Sequence, residues 1–255
     1  MILILSGTSE GKRLVAELNQ RRIPCIATTV TTYGGQLILK EIEGSNSSVE
    51  VGALEKPALE ELIRQKKIRA VVDATHPYAS NITWMAYEQA KALNLPYLRW
   101  HRPGLTEKEK ESCIQVPDYE AAAKELKSQT GSWLLTTGSN HLEVFCQHVD
   151  TKRLMIRVMP FAKVLEKCTD LGFSPAQIIA QQGPFSYQMN RLHLQEYNLA
   201  GLVTKDSGET GAVGEKLRAA RDLNRKVILI QRPLEPATQK AENLDQFRDF
   251  LLLIR

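Results

Sequence analysis

Short apolar runs alternate with amphipathic stretches along the first half of the chain. Each run is rich in Ile, Leu, Val or Ala, which is typical of a buried strand, and most of the intervening stretches repeat apolar residues every three or four positions, which is typical of a helix. The predicted strands cover residues 2–5, 24–30, 70–73 and 96–100, and the predicted helices cover 11–22, 57–66 and 78–93. This alternation indicates a parallel sheet with helices on both faces.

The second half repeats the pattern. Strands are predicted at 133–136, 177–180, 201–204 and 226–231, and helices at 185–197 and 213–223. The fold class is therefore α/β, with two Rossmann-like parallel-sheet domains and the active site in the cleft between them. We predict domains at residues 1–118 and 119–255. The boundary between them lies in a polar linker that contains a short helix.

Composition narrows the class of protein. The 255 residues are 43% hydrophobic and 24% charged, which is ordinary for a globular protein. No apolar run approaches the roughly 18 residues of a membrane span, so we expect no membrane partner and a cytoplasmic location. The cysteines are scattered and suggest neither a metal site nor a disulfide framework. They are Cys25, Cys113, Cys146 and Cys168.

Positive charge points to a small anionic ligand. The net charge of +4 is modest, and the clusters of Lys and Arg are interleaved with acids or lie on solvated helices, which argues against nucleic acid. Four cations instead lie at or just beyond the carboxyl ends of predicted strands, the edge at which open α/β sheets bind ligands. They are Arg99, Arg102, Lys205 and Arg232. The oligomeric state stays open between a monomer and an assembly.

A glycine turn follows the first strand. Gly7 and Gly11 flank Thr8, Ser9 and Glu10, and a helix begins here, as in turns that hold nucleotide phosphates. The spacing is not the full G-x-G-x-x-G pattern, so a plain helix cap by Thr8 or Ser9 is an equal alternative.

The next two strand ends extend this candidate cofactor site. The second strand ends at Thr28 and Thr29 without the acid that holds an NAD ribose, which favours NADPH slightly over NADH, although threonine also simply suits strands. The third strand leads into Thr75, His76 and Tyr78, which either face the ligand or only open the next helix.

A second glycine-rich turn joins a strand to a helix at residues 202–216. It carries a cation, Lys205, an acid, Asp206, and a hydroxyl, Ser207, followed by Gly208. Such a turn presents backbone N–H groups and fixed side chains to a ligand. The alternative is an ion pair on a surface turn.

Six segments resemble the precorrin-6A reductases, including the cobalt-precorrin-6A reductases of the anaerobic route to vitamin B12. They follow one another along nearly the whole chain: 6–11 (SGTSEG), 73–79 (DATHPYA), 98–103 (LRWHRP), 137–139 (TGS), 182–186 (QGPFS) and 204–208 (TKDSG). The resemblance implies an enzyme that reduces a macrocycle double bond with a reduced nicotinamide nucleotide, NADPH or NADH. The substrate is then a tetrapyrrole-derived ring that carries many carboxylates.

The residues and the resemblance together define the predicted site. The catalytic pair is Lys205 and Asp206. The cofactor residues are Gly7, Thr8, Ser9, Glu10, Gly11, Thr28, Thr29, Thr75, His76 and Tyr78. The substrate residues are Arg99, Arg102, Gly138, Ser139, Gly183, Ser186, Lys205, Ser207, Gly208 and Arg232. For Arg99 and Arg102 a salt bridge at the domain interface is the alternative, and for Gly183 and Ser186 it is a plain helix start. Competing functions are an S-adenosylmethionine-dependent tetrapyrrole methyltransferase and a non-catalytic nucleotide sensor.

Overall fold

The protein is described by a computed structural model that covers residues 1–254. It forms two compact units. Unit 1 contains Met1–Arg102 and the segment from Leu234 onward, and unit 2 contains Pro103–Pro233. In the described part of the chain, no helix has both the length and the apolar character of a membrane span.

Unit 1 is built on a parallel sheet of six strands in the order β12-β5-β4-β1-β2-β3 among the described residues. The strands are β1 (Ile2–Leu5), β2 (Cys25–Thr29), β3 (Ser48–Val51), β4 (Ala70–Asp73), β5 (Tyr97–Trp100) and β12 (Gln239–Ala241). The helices are α1 (Ser9–Gln20), α2 (Thr32–Leu39), α3 (Lys56–Gln65), α4 (Ser80–Ala92) and α11 (Leu244–Leu253).

Continuous burial explains why the central strands of unit 1 are mostly apolar. Every residue of β1, β2, β4 and β5 is buried, since helices cover both faces of the sheet. On one face Leu14, Leu18 and Phe247 pack together, and on the other Leu59 and Ile63 do so.

Unit 2 is built on a second parallel sheet, in the order β6-β11-β10-β7-β8-β9 among the described residues. The strands are β6 (Ile114–Val116), β7 (Trp133–Leu135), β8 (Leu154–Val158), β9 (Ile178–Ala180), β10 (Gly201–Lys205) and β11 (Lys226–Ile230). The helices are α5 (Glu107–Lys110), α6 (Tyr119–Ser128), α7 (Leu142–His148), α8 (Ala162–Asp170), α9 (Tyr187–Glu196) and α10 (Val213–Asp222). Leu134, Leu202 and Leu217 lie in its core.

The structure divides the chain differently from the predicted boundary at residue 118. The chain enters unit 2 at Pro103, and from Leu234 it belongs to unit 1 again. The reason is burial. Strand β12 pairs with β5, and Phe247 and Phe250 of α11 pack in the core of unit 1. The predicted cleft stays a prediction.

Some elements lack the pattern that predicts a strand. β3 is a mostly exposed edge strand with the sequence SVEV, and β12 is short and polar, with the sequence QKA. β8 carries Arg157 in an otherwise apolar run. These strands are recognised by their pairing with a neighbour rather than by hydrophobic alternation.

Candidate active site

The Gly7 turn lies at the carboxyl end of β1 in unit 1. Gly7 is exposed and has a φ of 115°, a conformation that favours glycine. A Cβ built on Gly11 would collide with the hydroxyl of Ser6, so Gly11 allows close packing between the turn and α1. The two glycines therefore have different roles, and Gly7 is the one that leaves backbone open to a ligand.

Thr8 is the N-cap of α1. Its Oγ1 accepts a hydrogen bond from the Gly11 N–H at 3.3 Å and donates one to the Ala74 carbonyl at 2.8 Å. The cap alternative is therefore correct for Thr8, and the same hydroxyl ties the turn after β1 to the turn after β4. Ser9 is exposed in the first turn of the helix. The backbone around Gly7 and Ser9 is the part of this turn that remains available to a phosphate.

Glu10 and Arg102 form a salt bridge within unit 1. The Arg102 Nε lies 2.7 Å from Glu10 Oε1, and the arginine side chain is 9% exposed. Arg102 thus neutralises the acid beside the N-terminus of α1, where a free carboxylate would repel a phosphate. The structure gives Arg102 this pairing within unit 1, and its predicted contact with substrate stays a prediction.

Arg99 is part of a buried network in unit 1. Its NH1 lies 2.9 Å from Asp73 Oδ1 and its Nε lies 3.0 Å from Glu235 Oε1, and only 1% of its side chain is exposed. NH1 also donates to the Thr75 carbonyl at 3.1 Å. The hydroxyl of Tyr97 donates to Asp73 Oδ2 at 2.8 Å. Arg99 is thus already engaged by two carboxylates, and the binding of a substrate carboxylate by this buried side chain stays a prediction.

The remaining cofactor candidates line the carboxyl ends of β2 and β4. Thr28 and Thr29 are buried at the end of β2. Thr75 donates its N–H to Asp73 at 2.9 Å and so belongs to the Arg99 network. His76 and Tyr78 are half-buried, and the Tyr78 N–H donates to His76 Nδ1 at 3.2 Å. His76 and Tyr78, like Thr75, accordingly keep some accessible surface in this turn.

Asp206 and Arg232 hold the first residues of unit 2 in place. Asp206 is 3% exposed and accepts hydrogen bonds from the Leu105 N–H at 3.1 and 3.3 Å. Arg232 Nε donates to the Asp206 carbonyl at 2.9 Å, and its NH2 donates to the Pro103 carbonyl at 3.1 Å. A Cβ on Gly104 would lie 2.7 Å from Asp206 Oδ2. These contacts give Asp206 and Arg232 a structural role, and the catalytic and substrate roles predicted for them stay predictions.

Lys205 ends β10, beside the turn that carries Ser207 and Gly208. Burial lowers the pKa of Lys205 to about 8. Ser207 is buried, and Gly211 packs against its hydroxyl. Gly208 has a φ of 70°, which glycine adopts without strain. Lys205 thus remains the chemically active candidate of the predicted motif.

The loop after β7 supplies further candidates on unit 2. Gly138 has a φ of 81° and open space at the position of a Cβ, and Ser139 beside it is half-buried. His141 follows and stacks on Tyr119 with ring centroids 3.8 Å apart. Partial burial and the charge of Lys205 lower the pKa of His141. This aromatic pair is absent from the predicted site, because Tyr119 and His141 are 22 positions apart and no local sequence pattern links them.

The start of α9 has a cap of its own. Ser186 Oγ accepts a hydrogen bond from the Met189 N–H at 3.3 Å. Its hydroxyl therefore caps the start of α9, which is the alternative given for this residue in the sequence analysis. Gly183 lies in the exposed segment that precedes it. Phe185 places its ring 3.8 Å from the Arg157 guanidinium carbon.

Two buried cations of unit 2 are missing from the predicted site. Arg157 on β8 is 5% exposed, and burial lowers its pKa to about 10. Lys216 on α10 is 7% exposed, and its pKa falls to about 7 through burial and the charges of Arg157 and Lys205. In the sequence, Arg157 is a basic residue inside an apolar strand, and Lys216 is a basic residue beside Leu217 on the apolar face of a helix. These two positions were the signal that could have revealed them.

Burial of Lys216 makes the stability of the protein depend on pH. Its pKa is about 7 in the folded chain against an ordinary value of 10.5, so between these values the unfolded chain binds more protons and stability rises with pH. From pH 7 to pH 9 this residue adds at most about 2 kcal/mol to the free energy of unfolding. We expect Lys216→Met to remove that increment, measured by urea denaturation at both pH values.

The exposed Lys226 provides the control. Lys226→Met removes the same charge from the amino end of β11, and the increment should persist. Lys205, whose pKa is also lowered, makes stability rise with pH in the same way. It is present in all three proteins, so its contribution cancels in the comparison. An increment of equal size in Lys216→Met and in the unmodified chain would show that Lys216 is not its source.

Known proteins resemble this chain along nearly all of its length. A family model described as "Precorrin-6x reductase CbiJ/CobK" matches residues 1–252. Proteins named cobalt-precorrin-6A reductase from Priestia megaterium and Methanothermobacter thermautotrophicus are each 33% identical to this chain. The first alignment covers 91% of both proteins, and the second covers 91% of this chain and 76% of the relative.

A solved structure shares the fold. The structure described as "CobK precorrin-6A reductase" aligns with a TM-score of 0.78 at 22% identity, and the alignment covers 99% of this chain and 96% of the other. At this identity the likeness concerns the fold, and it confirms the predicted class of two Rossmann-like α/β sheets. Among residues 1–254, no group of His, Cys, Asp and Glu has the arrangement of a metal site.

Proposed function

Because the chain belongs to the precorrin-6x reductase CbiJ/CobK family of oxidoreductases, we propose that it reduces one carbon–carbon double bond of precorrin-6A or cobalt-precorrin-6A in cobalamin biosynthesis. The observation that carries this proposal is the family match along residues 1–252, which includes both the Gly7 turn and the Lys205 turn. A cytoplasmic location is part of the proposal.

We propose that unit 1 holds the nicotinamide nucleotide, and that the nucleotide is NADPH. The exposed Gly7 backbone and the N-terminus of α1 suit a phosphate, and the pairing of Glu10 with Arg102 removes a repulsive charge from that position. The end of β2 at Thr28 and Thr29 supplies no acid against a 2′-phosphate. His76 and Tyr78, which follow β4 on the other side of β1, offer further accessible surface.

Unit 2 suits the macrocycle. Its strand ends carry Lys205 together with the open loop at Gly138 and Ser139, and a polycarboxylate ring takes charge-assisted hydrogen bonds from such groups. Bound NADPH would supply the hydride, and a proton taken up from solvent would supply the second hydrogen of the product. Lys205 holds positive charge next to the reacting ring system, where it stabilises the charge that develops as the double bond is reduced.

The direct test is anaerobic turnover. Purified protein is mixed with NADPH or NADH and either precorrin-6A or cobalt-precorrin-6A, and nucleotide oxidation is followed together with the mass of the product. Gain of two hydrogen atoms by the macrocycle is the expected result. Oxidation of neither nucleotide with either macrocycle would overturn the proposal.

Gly7→Val tests the cofactor turn. A branched side chain cannot adopt a φ of 115° without strain and projects into the space left for a phosphate, so the Kd for NADPH in calorimetry should rise at least about tenfold, the equivalent of 1.4 kcal/mol. Gly44→Val is the matched control, because Gly44 also has a positive φ, 73°, with open space around it. Equal NADPH affinity in the two variants would remove Gly7 from the site.

A further inference from the structure

Arg157 and Lys216 are buried cations of unit 2 that no acid neutralises. Neither has a carboxylate within 4.0 Å among the described residues. Arg157 NH1 donates to Asn190 Oδ1 at 2.9 Å, and Lys216 Nζ donates to the Gly211 carbonyl at 2.9 Å. Both partners are neutral. Buried charges without an opposite charge destabilise a protein, so this pair needs another explanation than stability.

The two cations lie on the same side of the sheet as a buried hydroxyl that has no partner. Extending the strand pairings by one residue places Thr204 of β10, Thr136 and Arg157 of β8 side by side, so that all three face the same way. This is the face covered by α9 and α10, since Leu134 and Leu202 on it pack with Leu194 and Leu217 of those helices. Thr204 is fully buried, and its Oγ1 has no hydrogen-bond partner among the described residues.

The composition of this cluster specifies its ligand. A guanidinium fork, an ammonium and a free hydroxyl donate hydrogen bonds, and together they match the two oxygens of a carboxylate. The positive charge of Lys205 also acts on this cluster, since it contributes to lowering the pKa of Lys216. An anion that enters therefore meets two or three cations and satisfies the Thr204 hydroxyl.

We propose that Arg157, Lys216 and Thr204 form a pocket that binds one carboxylate arm of the macrocycle. The assignment rests on the proposed function, because that function supplies a ligand with carboxylate arms. It adds two basic binding residues that are absent from the site predicted from the sequence. The pocket fixes the position of the ring through one of its arms, so Arg157 and Lys216 are positioning residues.

Occupation of the pocket has a consequence for protons. At pH 8 the free Lys216 is mostly neutral, since its pKa is about 7. A carboxylate beside it favours the charged form, and ligand binding should therefore take up close to one proton per molecule. A role confined to packing would not produce this uptake.

The experiment compares a free acid with its ester. Calorimetry at pH 8, in two buffers with different heats of ionisation, measures the affinity and the proton uptake for cobyrinic acid, a stable corrin polycarboxylate, and for its fully methylated ester. The proteins are the full chain, Arg157→Met, Lys216→Met and Arg153→Met. Arg153 at the amino end of β8 controls for loss of one positive charge.

We expect Arg157→Met and Lys216→Met to weaken binding of the acid at least about tenfold and to leave the ester and NADPH unaffected. Lys216→Met should also abolish the proton uptake, and Arg153→Met should change nothing. Both pocket variants should fold, because Met replaces a buried cation that has no ion pair, and thermal melting checks this.

Three results would overturn the pocket. They are unchanged affinity for the acid in both variants, an equal loss for acid and ester, and failure of the unmodified chain to bind the acid. Turnover of cobalt-precorrin-6A by the unmodified chain decides the proposed function separately, so an active enzyme whose variants keep full affinity for the acid disproves the pocket alone.

Discussion

Replacing Arg99 by Met is expected to lower the free energy of unfolding by about 3–5 kcal/mol, the usual effect of removing one partner from a buried ion pair. Asp73 is fully buried and would lose the guanidinium that lies 2.9 Å away. Glu235, itself largely buried, would lose the Nε contact at 3.0 Å. Urea denaturation followed by circular dichroism measures the loss.

Arg248 is the control for Arg99. It also contacts two carboxylates, Glu17 and Asp245, but 39% of its side chain is exposed. Exposed ion pairs contribute about 0–1 kcal/mol, so Arg248→Met should have a small effect. A stable Arg99→Met protein with a raised KM for the macrocycle would instead restore the substrate role that the sequence suggested for Arg99.

Lys205→Met is expected to slow the single-turnover rate of hydride transfer by about 10²–10³-fold, the usual loss when one preorganised charge or donor is removed from a reaction site. Affinity for NADPH should change much less, since the nucleotide is assigned to unit 1. Stopped-flow measurement of NADPH oxidation with saturating cobalt-precorrin-6A gives the rate.

The pH profile separates a chemical role of Lys205 from a packing role. Its pKa is about 8, so the rate of the unmodified enzyme should fall as the pH rises through 8 and the ammonium loses its proton. Lys205→Arg keeps the cation and should shift this decline to higher pH. A Lys205→Met enzyme with an undiminished rate, or with the same decline, would contradict the assignment.

Ion pairs and hydrogen bonds within each unit explain why a charged residue near the end of a strand does not by itself indicate a ligand site. Arg99 lies one residue before the end of β5, and Arg102 and Arg232 follow strands, but each one is paired with an acid or a carbonyl of its own unit. Asp206 is likewise held by Leu105, which lies 101 positions away along the chain. A charge at a strand end indicates the ligand edge only when no nearby residue neutralises it.

The sequence by itself determined the fold class, because strands covered by helices on both faces are buried and therefore mostly apolar, which makes β1, β2, β4 and β10 stand out. It also located the Gly7 turn, since a φ of 115° demands a residue without a Cβ.

Only the tertiary structure decided where the segment from Leu234 belongs and which cations remain for a ligand. Strand β12 is too short and polar to reveal its pairing with β5. Arg157 and Lys216 are 59 residues apart, and the lateral order of strands and the packing of α10 bring their charges close enough to interact. Local sequence sets which face of an element is apolar, whereas the partner of a buried charge depends on residues that only the folded chain brings together.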